Sequence, residues 1–339
     1  MVPRLARSRD LAKTNTEMSA LPDVTFLVCT HNRAPELRKT LAILPELQKP
    51  REARTEVLVV DNHCSDDTAD VVKAFAQGNS AFAVRLVREN RLGVGFARKR
   101  GLLESRGRLI VFLDDDCRLE SDWLIEMMNF ERDHPRAGAF GGRNTLAWEV
   151  SPDALCVAYG DSLARQDWGY QPFPLPMKGK RLPCGAGLVL RREAVFEAGY
   201  IHDGRLTGRH PKTFGAGEDT EVQMLVRRAG WEIWYAPCMR LRHWIPAYRM
   251  RLPYLRRLHR GFGRAEIYLR LLGLGLPLNL SNRWLGFRWA LEEVRVVLAR
   301  FWLGFVRYRN ERPTWLIRWS FAIGCLEGAC ALLFLGRVR

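Results

Sequence analysis

The 339-residue sequence is marked first by what it lacks. Its eight cysteines (Cys29, Cys64, Cys117, Cys156, Cys184, Cys238, Cys325, Cys330) include no CxxC pair. Several sit inside apolar runs, so they are expected to be reduced, buried thiols of a cytosolic protein. Residues 1–22 carry basic side chains but no apolar run, which excludes the pattern of a secretory signal; a disordered tail is expected there. A Walker A lysine motif is absent. Leu92-Gly93-Val94-Gly95-Phe96-Ala97-Arg98 imitates a dinucleotide fingerprint, but Arg98 stands where the third glycine belongs and the segment follows a third strand, not a first. Lysine is missing altogether from residues 240–339, which hold 19 Arg against 5 Glu. That stretch carries +14 of the net +16, leaving +2 for the first 239 residues. The arginines alternate with Trp, Leu and Phe and belong to no recognisable nucleic-acid module, so nucleic acid is not an expected partner.

What is present is a globular chain, 47% hydrophobic and long enough for one large or two modest domains. Strands are expected at 24–29, 56–60, 84–88 and 108–113, alternating with a helix at 34–47, a helix started by Ser65-Asp66-Asp67-Thr68 with Ser65 as N-cap, and a loop running into a helix over 93–104. This alternation predicts a doubly wound α/β sheet. In such sheets ligands bind at the carboxyl ends of the strands. Three polar clusters fall on that rim: Thr30-His31-Asn32-Arg33, Asp61 to Asp67, and Asp114-Asp115-Asp116. The last ends the apolar run Leu109-Ile110-Val111-Phe112-Leu113. Packed carboxylates repel one another and are costly to desolvate, so a counter-cation is expected there, and hard oxygen ligands suit Mg²⁺ or Mn²⁺ carrying substrate phosphates.

Residues 148–183 mix Gly, Pro and aromatics with Lys178, Lys180 and Arg181, and read as a long loop. Cys184-Gly185-Ala186-Gly187 turns into a strand, followed by a short helix at 192–198; the small residues allow close approach of backbone N–H groups to a ligand. A second acidic centre follows the glycines of Phe214-Gly215-Ala216-Gly217, where Glu218 and Asp219 open a helix over 220–229. A strand at 231–236 precedes Met239-Arg240-Leu241-Arg242-His243.

Taken in order, these segments resemble the family 2 glycosyltransferases, which have a GT-A fold. The elements that carry the resemblance are Thr30-His-Asn-Arg33, Val60-Asp61 through Ser65-Asp66-Asp-Thr68, Asn90-Arg-Leu-Gly93 with Ala97-Arg98, Phe112-Leu-Asp114-Asp-Asp116, Gly185-Ala-Gly187 and Gly217-Glu218-Asp219-Thr-Glu221, across residues 23–245. The resemblance implies an inverting, metal-dependent transfer of a sugar from a nucleoside-diphosphate sugar to a hydroxyl acceptor, in polysaccharide or glycolipid biosynthesis. It implies that Thr30, Asn32, Arg33, Asp61, Asp66 and Arg98 hold the donor's base and ribose, that Asp114 and Asp115 also bind the donor, and that Asp114 and Asp116 form a DxD pair. Asp116 would ligate Mg²⁺ or Mn²⁺, Asp114 would face the ribose or a metal-bound water, and His243 would lie near the diphosphate or metal. Asp219 would be the catalytic base, with Glu218 beside it. The sequence departs from the family pattern at Lys99, Cys117 and Gly187. Two alternatives stand beside this reading: a nucleotidyltransferase of similar fold, whose glycine-rich basic loop is missing after the first strand, and a basic nucleic-acid-binding protein.

The remainder, 246–339, is expected to be helical. Arginines alternate with Leu, Tyr and Phe over 249–270; Arg288, Glu292 and Arg295 share one helical face of the apolar stretch 284–305; and 315–335 is about long enough to span a bilayer but is interrupted by Arg318 and Glu327. A charge buried in a bilayer costs about 2.5–3.5 kcal/mol on insertion scales, whereas each Arg near anionic lipid gains about 1 kcal/mol. Helices lying on an anionic membrane surface are therefore expected, and the protein is expected to be cytoplasmic and peripheral on the inner face, with a saccharide or lipid-linked acceptor.

Overall fold

The computed structural model describes residues 21–176, 179, 181–210, 214–302 and 312–336. The expected N-terminal tail lies almost wholly outside the described residues, as do Lys178 and Lys180.

Four parallel strands come first: β1 (Val24–Thr30), β2 (Thr55–Asp61), β3 (Ala83–Arg88) and β4 (Leu109–Phe112). They lie in the order β3-β2-β1-β4, and β1 and β2 pair in register from Val24↔Thr55 to Thr30↔Asp61. The edge strand β3 is partly exposed and carries Arg85 and Arg88, charges that discourage further pairing. Between the strands run α1 (Ala34–Ile43), α2 (Thr68–Gly78) and α3 (Val94–Glu104). α1 ends four residues before the expected boundary, where Pro45 cannot continue the helical hydrogen bonds and a 3-10 turn, Leu44–Glu46, replaces them. The cap of α2 also differs from the expectation. Ser65 is engaged elsewhere, and the Asp66 carboxylate accepts from the Thr68 hydroxyl (2.6 Å) and backbone N–H (3.3 Å).

Alternation along the strands splits the core between two faces. Phe26, Val28, Val57 and Val59 pack under Leu37, Leu41 and Val71, joined by Trp123 and Met127 of α4 (Trp123–Asp133). Leu27, Leu58, Val60, Ile110 and Phe112 face Ala97 and Leu102, together with Val195, Val222 and Val226. Burial of each such side chain contributes about 1.5–3 kcal/mol.

Beyond β4 the sheet becomes mixed. β8 (Leu188–Arg191) runs antiparallel to β4 because the chain re-enters beside its carboxyl end, where the Gly187 N–H donates to the Phe112 carbonyl (2.9 Å). β6 (Ala137–Trp148) and β9 (Glu232–Ile245) pair in parallel, while β5 (Cys117–Leu119) and β7 (Phe173–Pro174) pair antiparallel to β9. β6 has no counterpart in the sequence reading: Ala137-Gly-Ala-Phe-Gly-Gly-Arg is poor in β-branched residues, and packing overrides its weak strand propensity. The loop expected over 148–183 contains α5 (Ala154–Ala158) and a 3-10 turn, Gly160–Leu163. α6 (Arg192–Glu197), α7 (Tyr200–Asp203) and α8 (Glu218–Arg228) complete this layer.

Three long helices follow: α9 (Leu252–Gly273), α10 (Leu280–Trp302) and α11 (Arg312–Leu335). α9 and α11 approach so closely that a Cβ on Gly263 would sit 2.1 Å from the Phe321 carbonyl, and one on Gly328 2.2 Å from that of Arg264. Glu327, one of the two charges that interrupt the apolar run of α11, pairs across this contact with Arg264 (2.7 Å) and Arg260. By length and composition α11 is long and apolar enough to cross a membrane, with 56% of its apolar window buried against the rest of the chain.

Candidate active site

The rim predicted from the strand ends bounds a cleft of about 380 Å³. Thr30 at the end of β1, Asn62 just past β2 and Asp114-Asp115-Asp116 past β4 form one wall. Gly93, Val94, Ala97 and Arg98 line it as well, with Arg209, His210 and the residues from Phe214 to Asp219, and Tyr248, Arg249, Tyr254 and Phe262 close it from the C-terminal part of the chain.

The three acids after β4 have different surroundings. Asp114 is 38% exposed and pairs with Arg98 Nη2 at 3.1 Å. Asp115 is buried; it accepts from Thr30 Oγ1 (2.8 Å) and Arg33 Nη1 (2.5 Å), and its backbone carbonyl accepts from Thr40 Oγ1 (2.6 Å). Asp116 is 1% exposed and shared by three cations: Arg33 Nη1 and Arg249 Nη1 lie 2.9 Å from Oδ2, and His243 Nε2 lies 3.0 Å from Oδ1. Burial pushes Asp115 up to about 7 against the pull of Arg33. Burial opposes ionisation of Asp116 as well, but there His243, Arg249 and Arg33 prevail and hold its carboxyl well below the ordinary range.

The second acidic centre opens α8. Gly217 caps this helix at φ +90°, a left-handed conformation that favours glycine, and so turns the first two helical residues toward the cleft. Glu218 is buried and accepts from Arg98 Nη1 at 2.8 Å, so Arg98 bridges the two acidic centres. Burial pushes Glu218 up to about 7, opposed by Arg98 and assisted by Asp219. Asp219 is only half-buried. Its Oδ2 lies 2.9 Å from where a Cβ on Gly185 would be, so the small residue there keeps room around this carboxylate. Glu221, one turn on, is fully buried and ties α8 to its neighbours by accepting from the N–H groups of Arg205 and Leu206 (2.7 and 2.9 Å) and from the Tyr268 hydroxyl of α9 (2.6 Å).

The donor set fits a divalent cation. Asp114, Asp116, Cys117 and His243 each offer a ligand atom, all within 4.8 Å of one another. Burial raises the Cys117 thiol well above its ordinary value, which keeps it a neutral thiol and leaves two carboxylates and an imidazole. The 3.0 Å between His243 Nε2 and Asp116 Oδ1 matches adjacent ligands on an octahedral ion with bonds of about 2.1 Å, which would stand roughly 3 Å apart. His243 Nδ1 lies 2.9 Å from the Leu163 carbonyl, the second hydrogen bond that orients a ligating imidazole.

Of the residues expected from the sequence, Thr30, Arg33, Arg98, Asp114, Asp115, Asp116, Glu218, Asp219 and His243 meet in this cleft. Asp61 stands beside it at the end of β2, accepting from the Cys64 N–H (2.6 Å). Asn32 and Asp66 do not line the cleft. Asn32 Oδ1 accepts from the Ser65 N–H (2.7 Å), and Asp66 Oδ2 from the Ala34 N–H (2.9 Å), so both brace the loops around the start of α1. The Gly93 and Gly95 N–H groups are already bound, to Asn62 Oδ1 and the Thr207 carbonyl (both 2.8 Å), which explains why this segment is no free phosphate cradle. Sequence reasoning missed Arg249, Ser162 and Leu163. Arg249 is one of 19 arginines in its region; its position six residues past His243 was the one available signal.

The family model described as glycosyl transferase family 2 matches residues 25–195. The chain belongs to this family. Its GT-A-type α/β domain, followed by helices, is shared with solved structures. The mannosyltransferase PcManGT of Pyrobaculum calidifontis, solved with GDP-Man and Mn²⁺, superposes with a TM-score of 0.58 at 19% identity, covering 94% of this chain and 88% of that one. Staphylococcus aureus TarS 1–349 with UDP-GlcNAc superposes with a TM-score of 0.50 at 13% identity, covering 93% and 92%. Among similar sequences, the probable glycosyltransferase YdaM of Bacillus subtilis is 25% identical over 68% of this chain. The succinoglycan biosynthesis protein ExoM of Rhizobium meliloti is 27% identical over 72% of this chain and 74% of its own length. The chain spans about half (52%) of the length of YdaM.

Proposed function

We propose that the chain is a metal-dependent, inverting glycosyltransferase that moves a sugar from a nucleoside-diphosphate sugar to a hydroxyl of a saccharide or lipid-linked acceptor, in polysaccharide or glycolipid biosynthesis. The observation that carries this reading is the convergence of both acidic centres on one cleft: carboxylates and an imidazole suited to a dication on one side, and a half-exposed carboxylate, Asp219, on the other. Thr30, Arg33 and Asp61 line or adjoin the place of the base and ribose, and Asp114 and Asp116 serve as the DxD pair. Asp114, Asp116 and His243 would hold Mg²⁺ or Mn²⁺, which when bound neutralises charge on the departing diphosphate. Arg98 fixes the distance between the two acidic centres. Glu218, buried against Arg98, positions the start of α8, and Asp219 takes the proton of the acceptor hydroxyl. A single accessible base suits a single displacement, and hence inversion at the anomeric carbon, by analogy with single-displacement glycosidases. Tyr248, Tyr254 and Phe262 form an aromatic wall of the same cleft.

The decisive experiment is a pair of measurements on Asp219→Asn. Removal of a positioned general base costs about 10²–10⁴ in rate, whereas affinity for the nucleoside diphosphate should hold. Wild-type turnover in this variant would exclude Asp219 as the base, and joint loss of rate and affinity in a folded variant would move it to the donor site.

We assign residues 23–245 to the transferase domain and 246–339 to a helical region that rests on an anionic membrane surface on the cytoplasmic side. One face of α10 supports this. Leu280, Trp284, Arg288, Leu291, Arg295 and Leu298 recur at steps of four and three and are all exposed, which places apolar side chains and arginines together as an interfacial helix does. Arg288→Glu combined with Arg295→Glu should reduce co-sedimentation with phosphatidylglycerol vesicles severalfold; sedimentation equal to wild type would remove this face from the contact.

A further inference from the structure

The carboxylate best placed to hold the dication is also the most heavily paired in the cleft. Arg33 and Arg249 both lie 2.9 Å from Asp116 Oδ2, with His243 on Oδ1. A dication added between Oδ1 and His243 would bring two more positive charges to a carboxylate already flanked by two guanidiniums, in a site where burial leaves little water to screen them. One guanidinium has to give way. Arg33 has a second anchor, since the same Nη1 lies 2.5 Å from Asp115. Among the described residues Arg249 has Asp116 as its one carboxylate partner, and its other polar contact is the neutral Tyr248 hydroxyl at 3.2 Å. It sits on the short 3-10 turn Ala247–Met250, between β9 and α9, and lines the cleft.

We propose that Arg249 is the internal counter-ion of Asp116 while the cleft is empty, and that it leaves this carboxylate for the donor's diphosphate when the cleft is loaded. The inference rests on the metal site proposed above. A guanidinium released within the cleft needs a new anion, and a diphosphate offers pairs of oxygens that its planar fork fits. Arg249 thereby opposes the cation when it binds alone and favours the cation and nucleotide together. This is a thermodynamic coupling, and it must be reciprocal. It also ties loading of the cleft to the turn that leads into α9.

The prediction has opposite signs for two ligands. In Arg249→Met, Mn²⁺ alone, titrated by the electron paramagnetic resonance of the free ion, should bind about 5-fold or more tightly than in wild type, a coupling of ordinary size. UDP and GDP, titrated calorimetrically at saturating Mn²⁺, should bind more weakly by a similar factor for whichever nucleotide the wild type accepts. Arg249→Lys keeps the charge, loses the fork and guards against a Met variant that folds poorly; it should weaken the nucleotide while leaving Mn²⁺ affinity near wild type. Asp114→Asn and His243→Gln separate the two levels of the argument. If both keep wild-type Mn²⁺ affinity, the metal site is wrong and this proposal falls with it. If both lose Mn²⁺ while Arg249→Met binds Mn²⁺ no more tightly than wild type, the metal site stands and the role of Arg249 is overturned.

Discussion

The two acidic centres use similar residues for different ends. At Asp114–Asp116 the buried carboxylates are met by cations from three separate segments: Arg33 after β1, His243 within β9 and Arg249 after it. At Glu218-Asp219 one cation, Arg98, holds the buried member and leaves its neighbour half-exposed to the cleft. Opposing charge from several directions keeps Asp116 ionised despite its burial, which is what a ligand for a hard dication requires. A single cation paired with Glu218 leaves Asp219, the proposed base, half-buried beside the cleft. The contrast shows that burial by itself does not mark the acid that acts; the number and origin of its partners do.

The largest expected effect that would break this contrast is the ~10²–10⁴ loss of rate in Asp219→Asn, with thermal stability close to wild type because that carboxylate holds little of the fold together. Asp116→Asn should behave in the opposite way. Removal of one partner from a buried ion pair costs about 3–5 kcal/mol, so urea denaturation at neutral pH should show a clear loss of stability before any assay of transfer is run. The pH dependence has a definite sign. The carboxyl of Asp116 is held low in the fold, so its contribution is present above the ordinary carboxylate value and lost as pH falls; the gap between wild type and Asp116→Asn should narrow in acid. If Asp116→Asn were as stable as wild type, the three cations would not be what distinguishes the first centre.

A smaller effect tests how far support for the first centre reaches. His259 on α9 is half-buried beside Tyr159 and Phe262, with Nε2 3.0 Å from Ser162 Oγ, next to the Leu163 carbonyl that orients His243. Burial pushes this imidazole down to about 4. As pH falls from the ordinary histidine value toward 4, the unfolded chain takes up a proton that the folded chain refuses, so stability drops by up to about 3 kcal/mol, at 1.36 kcal/mol per pKa unit. His259→Asn removes the titration, and its melting temperature should fall less than that of wild type over the same interval. Parallel curves would show that His259 titrates freely and does not brace Ser162.

Much of the fold was legible in the sequence because local pattern carries it. The runs at β1, β2 and β4 are apolar on both faces, as strands covered by helices on both sides must be, and each ends in polar residues where the sheet opens on the cleft. Gly217-Glu218-Asp219 announced a helix start by composition alone. β6 escaped because glycine and alanine carry no strand signal, and its place is decided by packing between β8 and β9. Asn32 and Asp66 were legible as polar rim residues but not as loop braces, since a carboxylate on a rim looks the same in sequence whether it faces a ligand or the N–H of Ala34.

The sequence by itself determined which atoms are available: the acids at the strand ends, the glycine that opens α8, and a C-terminal region whose positive charge is all arginine. Those properties follow from residue type and short-range spacing. Only the tertiary structure decided which charge answers which. Arg98 bridges acids 16 and 120 residues away, and Arg249 reaches Asp116 across 133 positions. Such pairings depend on chain crossings that no local pattern encodes, and they settle which carboxylate is buried beneath cations and which is left partly open to the cleft.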